Sequence, residues 1–277
     1  MPQSAIKLTH GTLTRVSYAE VTVAPDVVGL NADDIARVAW AAPEWATNDE
    51  VRVGAAVWFA DIDGTRFAFD PAQAADGVLR ADANAEAFHQ SAIAYVLAEA
   101  GFARESVDVL AMTHIENVGM VAWKNEDGTW SPYFPNARVL ISEQMLREFQ
   151  SWPAAEEGDA QHAAWSALIA QGRVHTFADG EQLAAGLTAC VSSGHAAGHA
   201  VFRFGADASS PEVSFIGHLA VSPLHLATGE CAVLNADPHT AWRLLRAEAD
   251  RARLLVGPLW PSPGCGRWVN GRVVAGE

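Results

Sequence analysis

The sequence predicts an α/β (α+β) fold with two β-sheets covered by helices. Predicted strands and hairpins come first in the chain, and predicted helices then alternate with strands. That order is typical of layered folds in which each sheet buries one face against helices. Half of the 277 residues are hydrophobic, which is enough to bury a substantial core. No linker rich in Pro, Gly or Ser divides the chain, so we expect a single domain over residues 1–277.

Local signals define the first elements. Two apolar runs, Val51–Ala60 and Thr65–Asp70, are joined by a short segment that ends in Gly64, which predicts a hairpin. Apolar residues at helical spacing predict a helix over Ala83–Ala100, and Gly101 follows it as a natural stop. The run Val107–Met112 is apolar except for Asp108, so we expect a strand that is buried on both faces.

The second half alternates helices with short strands. Helices are predicted over Glu143–Ser151 and Ala160–Gln171. Asp237-Pro238 has the form of an N-cap followed by proline at the first helical position, which opens a helix to about Ala252. Asn270-Gly271 is a tight-turn signal and predicts a closing hairpin. Further strands are predicted over Val174–Phe177, Val201–Phe204, Val213–Ile216 and Arg253–Val256.

Composition excludes several classes of protein. The formal net charge of −15 argues against a nucleic-acid partner, because a phosphate backbone requires clustered Lys and Arg. No apolar run is long enough to span a membrane, and the N-terminus lacks the features of a secretory signal. Cys190, Cys231 and Cys265 are widely spaced, which fits free thiols in a reducing compartment. We therefore expect a soluble, cytoplasmic protein, and a homodimer is one assembly that the sequence leaves open. No glycine-rich nucleotide-binding motif is present, so a nucleotide cofactor is not expected.

Histidines occupy three predicted strand ends. His195 and His199 lie in a loop of small residues that runs into an apolar strand, and Gly194 and Gly198 frame the first of them. Glycine there lets a loop present an imidazole without a steric clash at Cβ. The other two strand ends carry His114 and His218. They occur in the segments His114-Ile-Glu116-Asn117-Val-Gly119 and Phe215-Ile-Gly-His218, each at the end of an apolar strand.

These segments, taken in order, resemble the metallo-β-lactamase superfamily and its lactonase-like and hydrolase-like members. The resemblance also includes Phe67-Ala-Phe-Asp70-Pro, where relatives carry an Asp that supports the site, and the segments 127–139 and 257–264. It covers about residues 5 to 275. The resemblance implies a four-layer αββα sandwich.

The chain departs from the family at several metal-ligand positions. The first family loop reads His-x-His-x-Asp-His, but here Glu116 replaces the second His. The later Asp and His of that loop are absent, and Asn117 aligns with the last His. The bridging Asp is replaced by His218, and the final metal-binding His is replaced by Leu259.

The resemblance implies that one of the two family metal sites is retained. Its four positions hold His114, Glu116, His195 and His218, all of which can coordinate a metal, whereas the second site keeps only the shared His218. We therefore expect one divalent metal ion, Zn or Fe, with Mn and Ni also suited to these ligands. The alternative is a protein that has lost its metals.

Three functions follow from this site. The family reaction implies hydrolysis of a small ester, lactone or amide, with Glu116 as the fourth ligand or as the catalytic base. The first alternative is a mononuclear non-heme iron oxygenase, because neutral His ligands leave positions for O₂ and substrate. The second is a non-catalytic protein that binds a small molecule.

Aromatic residues predict the character of the substrate. Trp123, Trp130 and Trp260 fall in loops that rim the mouth of the site in this fold, which suits a small apolar or aromatic substrate. His225 follows the bridging position and is placed either in the pocket or at the surface. His199 is expected to pack behind His195 as support. Core packing is expected for Trp58, Trp165 and Trp242.

Overall fold

The fold was obtained as a computed structural model, which describes residues 3–47, 49–71, 92–116, 118–153, 159–229, 231 and 233–276. The first helices are α1 (Ala32–Arg37) and α2 (92–99). The remaining helices are α3 (Glu143–Ser151), α4 (Ala160–Ala170), α5 (His225–Thr228) and α6 (Pro238–Arg251). None of the described helices has the length and apolar character needed to span a membrane.

Most strands belong to two large sheets. The first sheet contains β1 (Gln3–Leu8), β2 (Gly11–Val23), β3 (Val51–Ile62), β4 (Thr65–Phe69), β5 (Val109–Ala111), β8 (Arg138–Ser142) and β9 (Val174–Phe177), in that spatial order. The second contains β10 (Glu181–Ala184), β11 (Leu187–Val191), β12 (Ala200–Phe204), β13 (Val213–Phe215), β14 (Leu254–Val256), β15 (Cys265–Val269) and β16 (Arg272–Ala275), also in chain order. A separate hairpin pairs β6 (Ala122–Lys124) with β7 (Trp130–Pro132).

Both large sheets contain parallel pairs of strands. Strands β4, β5, β8 and β9 run parallel, and so do β13 and β14, whereas the other neighbouring pairs are antiparallel. Parallel neighbours bring their carboxyl ends to one edge of a sheet. The ends of β4, β5, β8 and β13 carry the residues of the candidate site described below. The start of β12 joins this edge, because Ala200 N–H donates to the Thr113 carbonyl at 2.8 Å.

Three buried clusters show the four layers. Along β3, Val57 and Phe59 face a cluster that includes residues of α2, α3 and α4, whereas Trp58 faces the second sheet. Along β12, Val201 faces a cluster that includes residues of α1, α5 and α6, whereas Phe202 faces the first sheet. This alternation is the two-residue period of a strand. Helices therefore cover the outer face of each sheet, which confirms the predicted αββα arrangement.

The predicted local signals are found at the expected positions. Helix α3 has the predicted bounds, and the Asp237 side chain caps α6 by accepting from Thr240 N–H at 3.0 Å. The closing hairpin turns at Asn270 and Gly271, both with positive φ, as a tight hairpin turn of this type requires. The predicted helix over Ala83–Ala100 is seen over 92–99, and its first residues lie outside the described part of the chain.

Candidate metal centre

His114 lies just beyond the end of β5, where it is 5% exposed. The residue before it, Thr113, is held by the Asp70 carboxylate at the end of β4. Asp70 accepts from Thr113 N–H and from the Thr113 hydroxyl, each at 2.6 Å. Burial raises the pKa of Asp70 to about 7, although its hydrogen bonds with Thr113 act in the opposite direction. Asp70 thus fixes the strand end that carries His114, which agrees with the supporting role that the resemblance implies.

The same contacts orient the His114 ring. The Thr113 hydroxyl lies 3.0 Å from His114 Nδ1. With Asp70 ionised, the hydroxyl proton goes to the carboxylate, so the hydroxyl oxygen accepts from Nδ1–H. The other ring nitrogen, Nε2, then carries a lone pair and points away from the strand.

The loop between β11 and β12 carries His195 and depends on Gly198. Gly198 has a φ of +74°, and a Cβ there would collide with the Met145 backbone at the start of α3. Ser142 Oγ donates to the Gly198 carbonyl at 2.6 Å, and Gly198 N–H donates to Ser193 Oγ at 3.0 Å. The loop therefore lies directly against the end of β8 and the first turn of α3, which places His195 beside His114.

His195 is oriented by a residue that the sequence analysis did not identify. Nδ1 of His195 lies 3.3 Å from Oδ1 of Asn235. The Asn235 amide nitrogen donates to the Cys231 carbonyl at 3.0 Å, so its oxygen must be the atom that faces the imidazole. Nδ1 of His195 is therefore the donor, and its Nε2 carries the lone pair.

His218 lies in a short 3-10 turn, Gly217–Leu219, that follows β13. Its backbone N–H donates to His199 Nε2 at 3.3 Å. Because this bond uses the acceptor nitrogen of His199, that side chain supports the site and does not converge on it. The His199 ring also packs edge-on against the His195 ring, with centroids 5.6 Å apart.

Three of the four predicted ligands converge. His114, His195 and His218 each offer one ring nitrogen, and these three atoms lie within 4.8 Å of one another. Among the described residues, no other group of three metal-binding side chains converges in this way. Nε2 of His114 lies 3.3 Å from Nε2 of His195. Two nitrogens bound to one tetrahedral ion at normal bond lengths lie about 3.4 Å apart, so this separation fits a shared metal.

Electrostatics also fit a bound cation. Burial, together with the neighbouring imidazoles, holds the pKa of His114 well below its usual range and lowers the pKa of His218 to about 3. Burial also lowers the pKa of His195, against the opposing effects of its hydrogen bonds with the Asn235 side chain and the Leu234 backbone. Neutral imidazoles are the form that binds metals. The Nε2 atoms of His114 and His195 face each other at 3.3 Å, a separation at which both can bind one ion.

Glu116 lies beside the three histidines rather than among their converging nitrogens. Its Oε1 is 3.4 Å from Nδ1 of His218, and its side chain is 21% exposed. The Glu116 carbonyl accepts from the indole N–H of the buried Trp165, which ties the loop to α4. The carboxylate thus contacts one ring of the site, while its role as fourth ligand or base stays a prediction. Asn117 lies outside the described residues.

Trp260 is a core residue, and the prediction that it lies at the mouth of the site is wrong. It is fully buried, its indole N–H donates to the Ala220 carbonyl at 2.9 Å, and its ring packs edge-on against Trp45. The backbone carbonyl of Trp260 accepts from the buried Arg15. Its segment folds inward against α5 and α6, so the indole fills the outer core of the second sheet.

Trp123 and Trp130 lie on the β6–β7 hairpin and are half-buried. The Arg104 guanidinium lies 5.5 Å from the Trp123 ring, and Lys124 Nζ lies 5.8 Å from the Trp130 ring. The Trp130 carbonyl accepts from Gln171 at 2.7 Å. These contacts attach the hairpin to the end of α4, and the substrate-binding role of both residues stays a prediction.

His225 is neither at the surface nor turned toward the metal ligands. It is 2% exposed at the start of α5, and its Nε2 lies 2.9 Å from the Val28 carbonyl. A carbonyl only accepts, so Nε2–H donates to it. His225 therefore ties the segment before α1 to α5, which corrects its prediction as a pocket residue.

His225 should make the protein sensitive to acid. Burial lowers its pKa from 6.5 to about 4. Between those values the unfolded chain binds a proton that the folded protein excludes, so stability is lost as the pH falls through this window. On going from pH 7 to pH 5 the wild-type protein should lose about 2 kcal/mol more unfolding free energy than His225→Gln. Urea denaturation at both pH values measures this difference, and equal losses in the two proteins would contradict it.

The comparisons with known proteins agree on the fold. No protein-family model and no curated protein matches the sequence. Among solved structures, the hydrolase AbOPH of the beta-lactamase superfamily is similar with a TM-score of 0.73 and 17% identity, over 99% of this chain and 97% of that one. The dizinc quorum-quenching lactonase AidC gives 0.74 and 14%, with the same shares covered.

A third structure extends this agreement. A probable metal-dependent hydrolase from Staphylococcus aureus gives a TM-score of 0.66 at 13% identity, over 92% of this chain and 91% of that one. All three comparisons cover nearly the full length of both chains. The two-sheet sandwich therefore has a known architecture: this chain has the metallo-β-lactamase fold.

Proposed function

We propose that this protein is a hydrolase of a small ester, lactone or amide that uses one divalent metal ion held by His114, His195 and His218. The observation that carries the proposal is the pair of Nε2 atoms 3.3 Å apart, on two rings whose Nδ1 atoms contact the Thr113 hydroxyl and the Asn235 amide oxygen. The structurally similar proteins include metal-dependent hydrolases and lactonases, which supports the reaction class.

The described residues favour one metal rather than two. Only one group of converging donors is found among them. Leu259, at the position of the last family ligand, packs against the outer core of the second sheet and cannot coordinate. His225, the next imidazole along the chain from His218, donates to a backbone carbonyl instead.

The side chains divide the chemistry between them. When bound, a divalent ion would lower the pKa of a water molecule to about 7 and polarise a substrate carbonyl. Glu116, whose Oε1 lies 3.4 Å from His218 Nδ1, would be the residue that holds a proton at the site. His218 beside it is neutral near pH 7, because burial lowers its pKa to about 3, so it does not hold Glu116 in a salt bridge. The partly exposed Glu116 marks the side from which the substrate would enter.

Zn is the ion we propose for hydrolysis, since Zn accepts imidazole ligands and needs no redox partner. An iron-dependent oxygenase is the second candidate. The converging set contains three neutral imidazoles and no carboxylate among the described residues, and imidazole ligation also suits Fe(II). We propose a small apolar or aromatic substrate, on the basis of the half-buried Trp123 and Trp130.

Turnover of a panel of lactones, aryl esters and amides by Zn-loaded protein tests this proposal. Hydrolysis should proceed without O₂ and should place oxygen from ¹⁸O-labelled water in the product. Glu116→Gln should keep the metal and reduce turnover by about 10²- to 10⁴-fold if Glu116 is the base. Loss of metal in that variant would show that Glu116 is a ligand. Turnover that requires Fe(II) and O₂ would contradict the hydrolase proposal and support the oxygenase.

A further inference from the structure

We propose that Asn235 is a positioning residue that fixes the protonation and orientation of His195 for metal binding. The inference rests on the metal centre of the proposed function and adds a residue to it. Asn235 is not one of the converging donors. It touches the site only through His195, at 3.3 Å between Oδ1 and Nδ1.

The direction of this contact is determined by a second hydrogen bond. Asn235 is 9% exposed, and its Nδ2 donates to the Cys231 carbonyl at 3.0 Å. If the amide were turned over, its NH₂ group would face Nδ1 of His195, and its oxygen would face the Cys231 carbonyl. In this orientation Asn235 favours the tautomer in which Nδ1 carries the proton and Nε2 is available to a metal, and His195 also makes a hydrogen bond with the Leu234 backbone.

The backbone next to Asn235 holds the backbone of His195 as well. Ala236 N–H donates to the His195 carbonyl at 3.0 Å, and Asp237 N–H donates to the Gly194 carbonyl at 2.9 Å. Asp237 then caps α6 through Thr240 N–H. Residues 235–237 therefore form hydrogen bonds with both the main chain and the ring of His195, and Asp237 connects them to α6.

This arrangement also explains why the side chain is an amide. An Asn accepts from His195 and donates to Cys231 at the same time, whereas an Asp could only accept and an Ala could do neither. The two hydrogen bonds can therefore be separated by mutation. Asn235→Asp keeps the acceptor for His195 and removes the donor for Cys231, while Asn235→Ala removes both.

Zn affinity of the purified full-length chain, measured by competition with a chromophoric chelator, tests the inference. Asn235→Ala should weaken Zn binding by about 10- to 100-fold, the range typical of hydrogen-bond partners of metal-ligating histidines. Asn235→Asp should stay close to wild type, because its carboxylate still accepts from Nδ1–H. Asn136→Ala is the matched control: exposed Asn136 also donates to a backbone carbonyl, that of Glu105 at 2.7 Å, and its loss should not alter Zn affinity.

A second readout does not require metal. In the metal-free protein, ¹⁵N NMR of the histidine side chains should show His195 protonated at Nδ1 in wild type and in Asn235→Asp, and a mixture of tautomers in Asn235→Ala. Wild-type Zn affinity in Asn235→Ala would overturn the inference. Equal losses in Asn235→Ala and Asn235→Asp would also overturn it, since the bond to Cys231 would then carry the effect. Wild-type protein that binds no Zn would overturn the proposed function itself, and this inference with it.

Discussion

His195→Ala is expected to abolish tight metal binding. The change removes one of three converging imidazoles and leaves His114 and His218, which cannot hold an ion tightly by themselves. A ligand contributes more than its hydrogen-bond partners, so we expect an affinity loss of more than about 100-fold. Metal analysis after dialysis should find a normal content in wild type and almost none in the variant.

The control for this experiment is another histidine. His175 is exposed on β9, and His175→Ala should retain the wild-type metal content. If His195→Ala also retained it, the ion would be bound elsewhere and the assignment of the site would fail.

Trp260→Ala is expected to destabilise the fold by about 3–5 kcal/mol, the usual cost of truncating a buried aromatic side chain to Ala. Trp260 is fully buried against Trp45 and donates to the Ala220 carbonyl, so its removal leaves both a cavity and an unpaired acceptor. Urea denaturation measures the loss. Trp130→Ala, on the half-buried hairpin, should cost less.

The competing role for Trp260 has a different signature. A residue at the mouth of the site would change KM and leave the unfolding free energy nearly unchanged. If Trp260→Ala behaved in that way, the prediction that Trp260 lies at the mouth of the site would stand. Its burial would then contribute little to the free energy of unfolding.

Local signals predicted the elements that depend on local chemistry. Helix α3, the Asp237 cap of α6 and the Asn270-Gly271 turn are each determined by a few adjacent residues, and each is found where the sequence predicts it. Strand β2 was not predicted. Its register shifts between Ser17 and Ala19, which breaks the two-residue alternation by which a half-buried strand is recognised.

Positions that depend on long-range packing were harder to predict. The loop position of Trp260 suggested exposure, but Arg15 and Ala220, both far away in sequence, bind it in the core. The resemblance to a known family predicted His114, His195 and His218. Nothing in the sequence marked Asn235, because its two partners are His195, which is 40 residues away, and a backbone carbonyl.

The number of metal ions per chain tests the central claim most directly. Protein loaded with Zn, dialysed and analysed by mass spectrometry against amino-acid analysis should contain one ion per chain, because His114, His195 and His218 form the one converging group among the described residues. Two tightly held ions per chain would show that a second ligand set has been missed. No bound ion in the loaded wild-type protein would contradict the metal centre altogether.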